Sequence, residues 1–234
     1  PWFFRFSGAV VRWLLPLTIG LLLLGAAWGL LVAPPDFRQG NSYRIIYVHV
    51  PAAVVALAGY YVMAFAGAVS LIWRIKMADV TMRAVAPVGA VLTAVALVTG
   101  AIWGKPTWGT WWVWDARITS MLILLFLYLG VIALFEAYEN KTAAARACAV
   151  LSLVGTVNIP IIYKSVDWWY ALHQPASIKF TGESAIDSSM LHPLLLMIGA
   201  FYCLFALTVL LNMRAELVWN HREASWLKQM VRNV

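Results

Sequence analysis

The chain has 234 residues, 63% of them hydrophobic and only 12% charged, with a net charge of +7. Soluble domains carry about 25% charged residues, so this composition excludes an ordinary soluble protein and points to an integral membrane protein. The basic residues stand in small groups beside apolar runs, the pattern of topology signals and lipid-headgroup contacts, which argues against nucleic-acid binding.

Six apolar runs predict an all-α bundle of six transmembrane helices forming a single domain, 1–234, with no room for a separate soluble unit. The chain begins at Pro1 rather than Met, so further N-terminal sequence is expected, and no signal-peptide cleavage pattern is evident. Run one covers about 13–33 and stops at Pro34 and Pro35; its 21 or so residues reach about 31 Å, enough to span a bilayer. A polar connection, 36–44, leads to run two, about 47–73. Here Pro51 cannot donate to the carbonyl of Tyr47, so a kink or helix start is expected. A short basic loop, 74–83, precedes run three, about 84–102.

Next comes WGKPTWGTWWVWD, 103–115, in which Trp103, Trp108, Trp111, Trp112 and Trp114 are massed between two apolar runs and followed by Asp115 and Arg117. Indole favours the membrane-water boundary, so one reading is an aromatic belt. A belt scatters its rings over many helix ends, whereas these occupy one external segment, 103–117, and form a platform for a flat apolar ligand. The spacing from Trp108 to Trp111 and Trp112, and on to Asp115, predicts a short helix presenting these side chains on one face.

Run four is about 118–135, a polar turn covers 136–146, and run five, about 147–163, is interrupted by Asn158 and Pro160. An external loop, 164–190, contains Trp168, Trp169 and His173; run six, about 191–213, ends in a charged tail. Cys148 and Cys203 lie inside apolar runs without CxxC or CxxCH spacing, which speaks for core residues rather than redox chemistry or covalent haem attachment.

Lys and Arg residues are concentrated in the N-terminal segment, the second and fourth connections and the tail. The positive-inside rule therefore puts both termini in the cytoplasm. The tryptophan segment, His49 and His173 then share the outer face. Two imidazoles flanking a flat apolar surface suggest haem, whose iron takes axial histidine nitrogens. Either histidine alone could equally be a hydrogen-bonded interfacial side chain, and His192, also external, rivals His173 as a ligand. His221 belongs to the solvated tail. Arg44, Arg117, Lys105 and Lys164 are candidate partners for haem propionates, with membrane-edge anchoring as the alternative. Asp115 could orient an indole N–H, pair with Arg117 or face a partner protein.

The run WGKPTWGTWWVWDARITSMLIL resembles the "WWD" signature of the haem-handling proteins of cytochrome c maturation. With YVHVPAA around His49, SVDWWYALHQP around His173 and six spans, nearly the whole chain is similar to the CcmC branch. This resemblance implies non-covalent haem b held at the outer face of the bacterial cytoplasmic membrane, with His49 and His173 as axial ligands. It also implies a platform of Trp108, Trp111, Trp112, Trp114 and Asp115; Trp103 precedes the matching core, and the GESAID stretch after His173 does not match. Implied partners are the haem chaperone CcmE, which becomes covalently linked to haem, and CcmA, CcmB and CcmD, in a membrane-lipid setting. Whether promoting that linkage is enzymatic or a templating act is left open by the resemblance. Two other classes compete. A membrane cytochrome of the electron-transfer type suspends haem between histidines within spans, and here no run has a histidine near its middle. A non-catalytic subunit of an ATP-driven exporter agrees with the absence of a Walker motif but predicts a polar route between spans, and intramembrane ionisable residues are almost lacking.

Overall fold

A computed structural model describes residues 2–169, 173, 186–220, 222 and 224. His221, the tail beyond 224, Lys179 and most of the GESAID stretch lie outside them. Among the described residues seven α-helices follow in order: α1 Trp2–Ala27, α2 Ile46–Trp73, α3 Lys76–Trp108, α4 Ala116–Ala137, α5 Lys141–Gly155, α6 Asn158–Trp168 and α7 Ser188–Asn220. A π-helical turn, Trp28–Val32, continues α1, and a 3-10 turn, Asn41–Ile45, leads into α2. Counting α5 and α6 as one broken span, six segments among the described residues are long and apolar enough to cross a membrane, making this an all-α integral membrane protein.

The interruption expected at Asn158 and Pro160 is where α5 gives way to α6. The Asn158 amide donates to the Ser120 carbonyl across 2.9 Å, and Pro160 sits in the first turn of α6, where its missing N–H costs nothing. Elsewhere the helices outrun the apolar runs. Helix α1 starts at Trp2 rather than near Trp13, its first turns tied to α7 by Arg214, which lies 3.8 Å above the Phe4 ring. The basic loop 74–83 shrinks to Arg74 and Ile75. Arg74 adopts the left-handed conformation (φ 55°) that closes α2, and Asp79 complements the positive end of α3 while accepting from the Ser70 hydroxyl. The turn 136–146 shrinks to 138–140, because Asn140 accepts from the Thr142 and Ala143 amides (2.9 and 3.1 Å) and starts α5 early.

The short helix expected from Trp108 onward is absent. Helix α3 runs through Trp103 and Pro106 to Trp108, Gly109 at φ 78° terminates it, and 110–115 is non-helical. Asp115 therefore does not share a helical face with Trp111 and Trp112; it is the N-cap of α4, accepting from Ile118 N–H at 2.8 Å. A left-handed glycine stop followed by an aspartate start overrides the three- and four-residue spacing of the rings.

The core is centred on α2, which packs along α3, α5 and α7. Tyr60 and Tyr128 meet edge to face there, 5.2 Å between ring centres, and the Tyr128 hydroxyl donates to the Ala56 carbonyl at 2.8 Å. Glycine makes room for both rings. A Cβ on Gly89 would stand 2.1 Å from Tyr128 Cζ, and one on Gly155 2.0 Å from the Tyr60 hydroxyl oxygen. Small residues admit such close approach in lipid, where packing rather than the hydrophobic effect joins helices.

Candidate functional site

One end of the bundle holds a cavity of about 570 Å³, walled by α2, α3, α4, α6, α7 and the 109–115 segment. That volume lies within the range of about 300–1,000 Å³ typical of small-molecule and cofactor sites. His49 projects from the second turn of α2. Its Nδ1 lies 3.0 Å from the Ala96 carbonyl and 3.1 Å from the Thr99 hydroxyl. A carbonyl only accepts, so the proton sits on Nδ1 and the Nε2 lone pair is left bare. Gly100 clears space beside the ring: a Cβ there would come within 3.0 Å of His49 Cε1. Trp103 stands edge-on to His49 at 5.7 Å and is itself fixed by its Nε1–H, which donates to Gln39 Oε1 at 2.6 Å, and by the edge of Tyr43 at 5.7 Å.

His173 reaches the same cavity from the 169–187 connection. Its ring lies 5.0 Å from Trp108, and its Nδ1 is 3.9 Å from Asp115 Oδ2. Burial pushes its pKa down to about 3, with the positive charge of Arg117 and neighbouring His49 adding to the effect, so the ring is neutral and its lone pair available. The two histidine rings lie 6.4 Å apart, tilted by 35°. Two ring nitrogens each about 2.0 Å from a shared metal would put their ring centres, about 1 Å further out on each side, roughly 6 Å apart, close to the separation seen here.

Of the tryptophans, Trp103, Trp108, Trp111 and Trp112 line the cavity. Trp114 does not; it is 75% exposed and packs edge-on against Trp112 at 5.5 Å. Among the four candidate cations only Arg117 lines the cavity, donating over 3.4 and 3.3 Å to the carbonyls of Ile162 and Tyr163. Arg44 spends its guanidinium on the carbonyls of Leu30, in the π-helical turn, and Ala33, which follows it, tying that turn to the 3-10 turn that leads into α2. Lys105 reaches the Gly109 carbonyl and Lys164 pairs with Asp167. His192 faces Trp28 at 6.4 Å, off the cavity lining. Sequence reasoning missed Gln39, Gly100, Ala96 and Thr99, which fix His49 and Trp103 across 47 to 64 residues of chain. No local pattern signals pairs so distant.

The fold and the site thus define a six-span α-helical membrane protein with a tryptophan-walled cavity holding two imidazoles at one end. Residues 1–228 match the CcmC family, described as Heme exporter protein C, and the chain belongs to that family. It is 46% identical over 231 residues to Heme exporter protein C of Escherichia coli (strain K12), covering 99% of this chain and 93% of that protein. Identity to the Haemophilus influenzae protein of the same name is 47% over 218 residues, 93% of this chain and 89% of the relative. For the Paracoccus denitrificans protein it is 41% over 216 residues, 92% and 89%.

Proposed function

We infer that this chain binds haem non-covalently at the periplasmic face of the bacterial inner membrane and delivers it to the chaperone CcmE during cytochrome c maturation. The observation that carries this reading is the pair His49 and His173, whose ring centres lie 6.4 Å apart inside a tryptophan-lined cavity. Among the described residues no three His, Cys, Asp or Glu side chains converge as they would around a bare metal ion. A metal that brings its own equatorial ring needs only the two axial nitrogens.

In this reading haem is cargo. His49, its tautomer set by Ala96, and neutral His173 supply lone pairs to iron, while Trp108 and Trp112 cover the ring and exclude water. Arg117 is the cation inside the cavity that meets a propionate. Trp111, 57% exposed at the mouth, stands beside the edge of the ring that stays open to the chaperone's histidine. With both termini cytoplasmic, ATP hydrolysis belongs to CcmA, acting with CcmB and CcmD.

The test is the absorption spectrum of the purified protein with adequate haem supply, alongside His49→Ala, His173→Ala and His192→Ala. The expected result is a six-coordinate bis-histidine spectrum, lost or altered by the first two changes and retained by the third. Normal covalent haem on CcmE with both His49 and His173 replaced by Ala would overturn the reading.

A further inference from the structure

The second oxygen of the α4 cap has no assigned task. Asp115 is 92% buried by its 8% relative exposure, and its Oδ1 accepts from Ile118 N–H at 2.8 Å, which completes the cap. Oδ2 is enclosed and without a hydrogen-bond partner, and so is Nδ1 of His173. These two orphaned atoms face each other across 3.9 Å. That separation is too long for a hydrogen bond and closes to one with a movement of about 1 Å. Arg117, two residues on, is turned to the carbonyls of Ile162 and Tyr163 instead. Leaving a buried carboxylate oxygen and a buried ring nitrogen unpaired is costly, so the arrangement calls for a state that joins them.

Metal ligation is that state. When Nε2 of an imidazole binds a metal, the proton resides on Nδ1 and becomes more acidic, and a carboxylate accepting from it fixes both the tautomer and the ring orientation. We propose that Asp115 is the positioning residue of His173: its Oδ2 accepts from Nδ1–H when Nε2 ligates haem iron, while its Oδ1 continues to cap α4. This rests on the haem-binding reading above. The two ligands are thus held by acceptors of different strength, a neutral carbonyl at His49 and a carboxylate at His173, and the carboxylate ties His173 to the residue that follows Trp114.

Asp115→Asn separates the two tasks, because asparagine caps a helix as well as aspartate, with its carbonyl oxygen on Ile118 N–H, and then presents an amide N–H₂ to His173. Haem is titrated into the purified full chain, parent and variant, and absorption, reduction potential and the thermal midpoint of the haem-free protein are read. Expected are a haem-free midpoint no lower than the parent's, haem affinity reduced by about 10- to 100-fold, and a potential shifted positive because the ligand loses anionic character. Added imidazole should restore the six-coordinate spectrum by replacing His173 on iron. An Asn variant with the parent's affinity and potential overturns the proposal, as does one whose haem loss merely follows a lowered haem-free midpoint. Should the Asn variant fail to fold, Asp115→Ser, which caps α4 but is too short to reach His173, takes its place with the same expectations. A parent that shows no bis-histidine spectrum instead defeats the haem-binding reading itself.

Discussion

A Cβ on Gly100 of α3 would lie 3.0 Å from Cε1 of His49 on α2. The imidazole cannot retreat freely, because its Nδ1 is held by the Ala96 carbonyl and the Thr99 hydroxyl and Trp103 stands edge-on to it. Gly100→Val should therefore displace the ring and weaken haem retention by about tenfold or more, in keeping with an overpacking cost of about 1–3 kcal/mol. Gly199→Val is the control, since a Cβ on Gly199 meets nothing within 4 Å. Haem content after purification checks both; equal retention in the two variants refutes the constraint on His49.

The tryptophans divide by position. Trp108 packs against His173 and Trp112 lines the cavity, whereas Trp114 is exposed and off it. Trp108→Ala and Trp112→Ala should lose haem while leaving thermal stability nearly unchanged, the rings lying at or beyond the end of α3. Trp114→Ala should keep haem in the same spectral assay. If its haem transfer to CcmE falls while haem binding holds, Trp114 belongs to the partner surface.

Apolar content was legible as six spans, and the break in the fifth was legible from Asn158 and Pro160 because amide and proline act on the backbone locally. His49, His173 and the tryptophans could be brought to one end by topology alone. Helix ends were not legible from apolarity, because caps set them: Arg74 in the left-handed region, Asn140 and Asp115 as N-caps. Spacing misled at Trp108 for the same reason, a glycine stop outranking a helical period. Arg44 and Arg117 look alike in sequence as external arginines; only packing shows that one braces a π-helical turn and the other lines the cavity.

The core makes a prediction independent of any ligand. Gly89→Ala would drive a methyl group into the Tyr128 ring, where 2.1 Å is available, and Tyr128 is fully buried with its hydroxyl on Ala56. A loss of about 1–3 kcal/mol is expected. Tyr128→Phe removes only the hydrogen bond and leaves the Ala56 carbonyl to its helix, for about 0.5–1.5 kcal/mol. Thermal unfolding in detergent should rank the parent above Tyr128→Phe and Tyr128→Phe above Gly89→Ala.

Arg117 is the cation whose role can be isolated chemically. Its hydrogen bonds to Ile162 and Tyr163 are long, at 3.4 and 3.3 Å, so they contribute little to joining α4 and α6. A charge-assisted bond to a propionate in a water-poor cavity is worth about 1.5–3 kcal/mol, or roughly 10- to 100-fold in affinity. Arg117→Gln should therefore weaken haem binding by about that factor with little change in unfolding temperature. Haem dimethyl ester, whose propionates are uncharged, should bind parent and Arg117→Gln alike, because the lost interaction is absent from both. Arg44→Gln should show the opposite pattern: lower stability, as the carbonyls of Leu30 and Ala33 lose their donor, and no discrimination between haem and its ester. A penalty for Arg117→Gln that is equal for both ligands would assign that residue to the cavity wall rather than to propionate recognition.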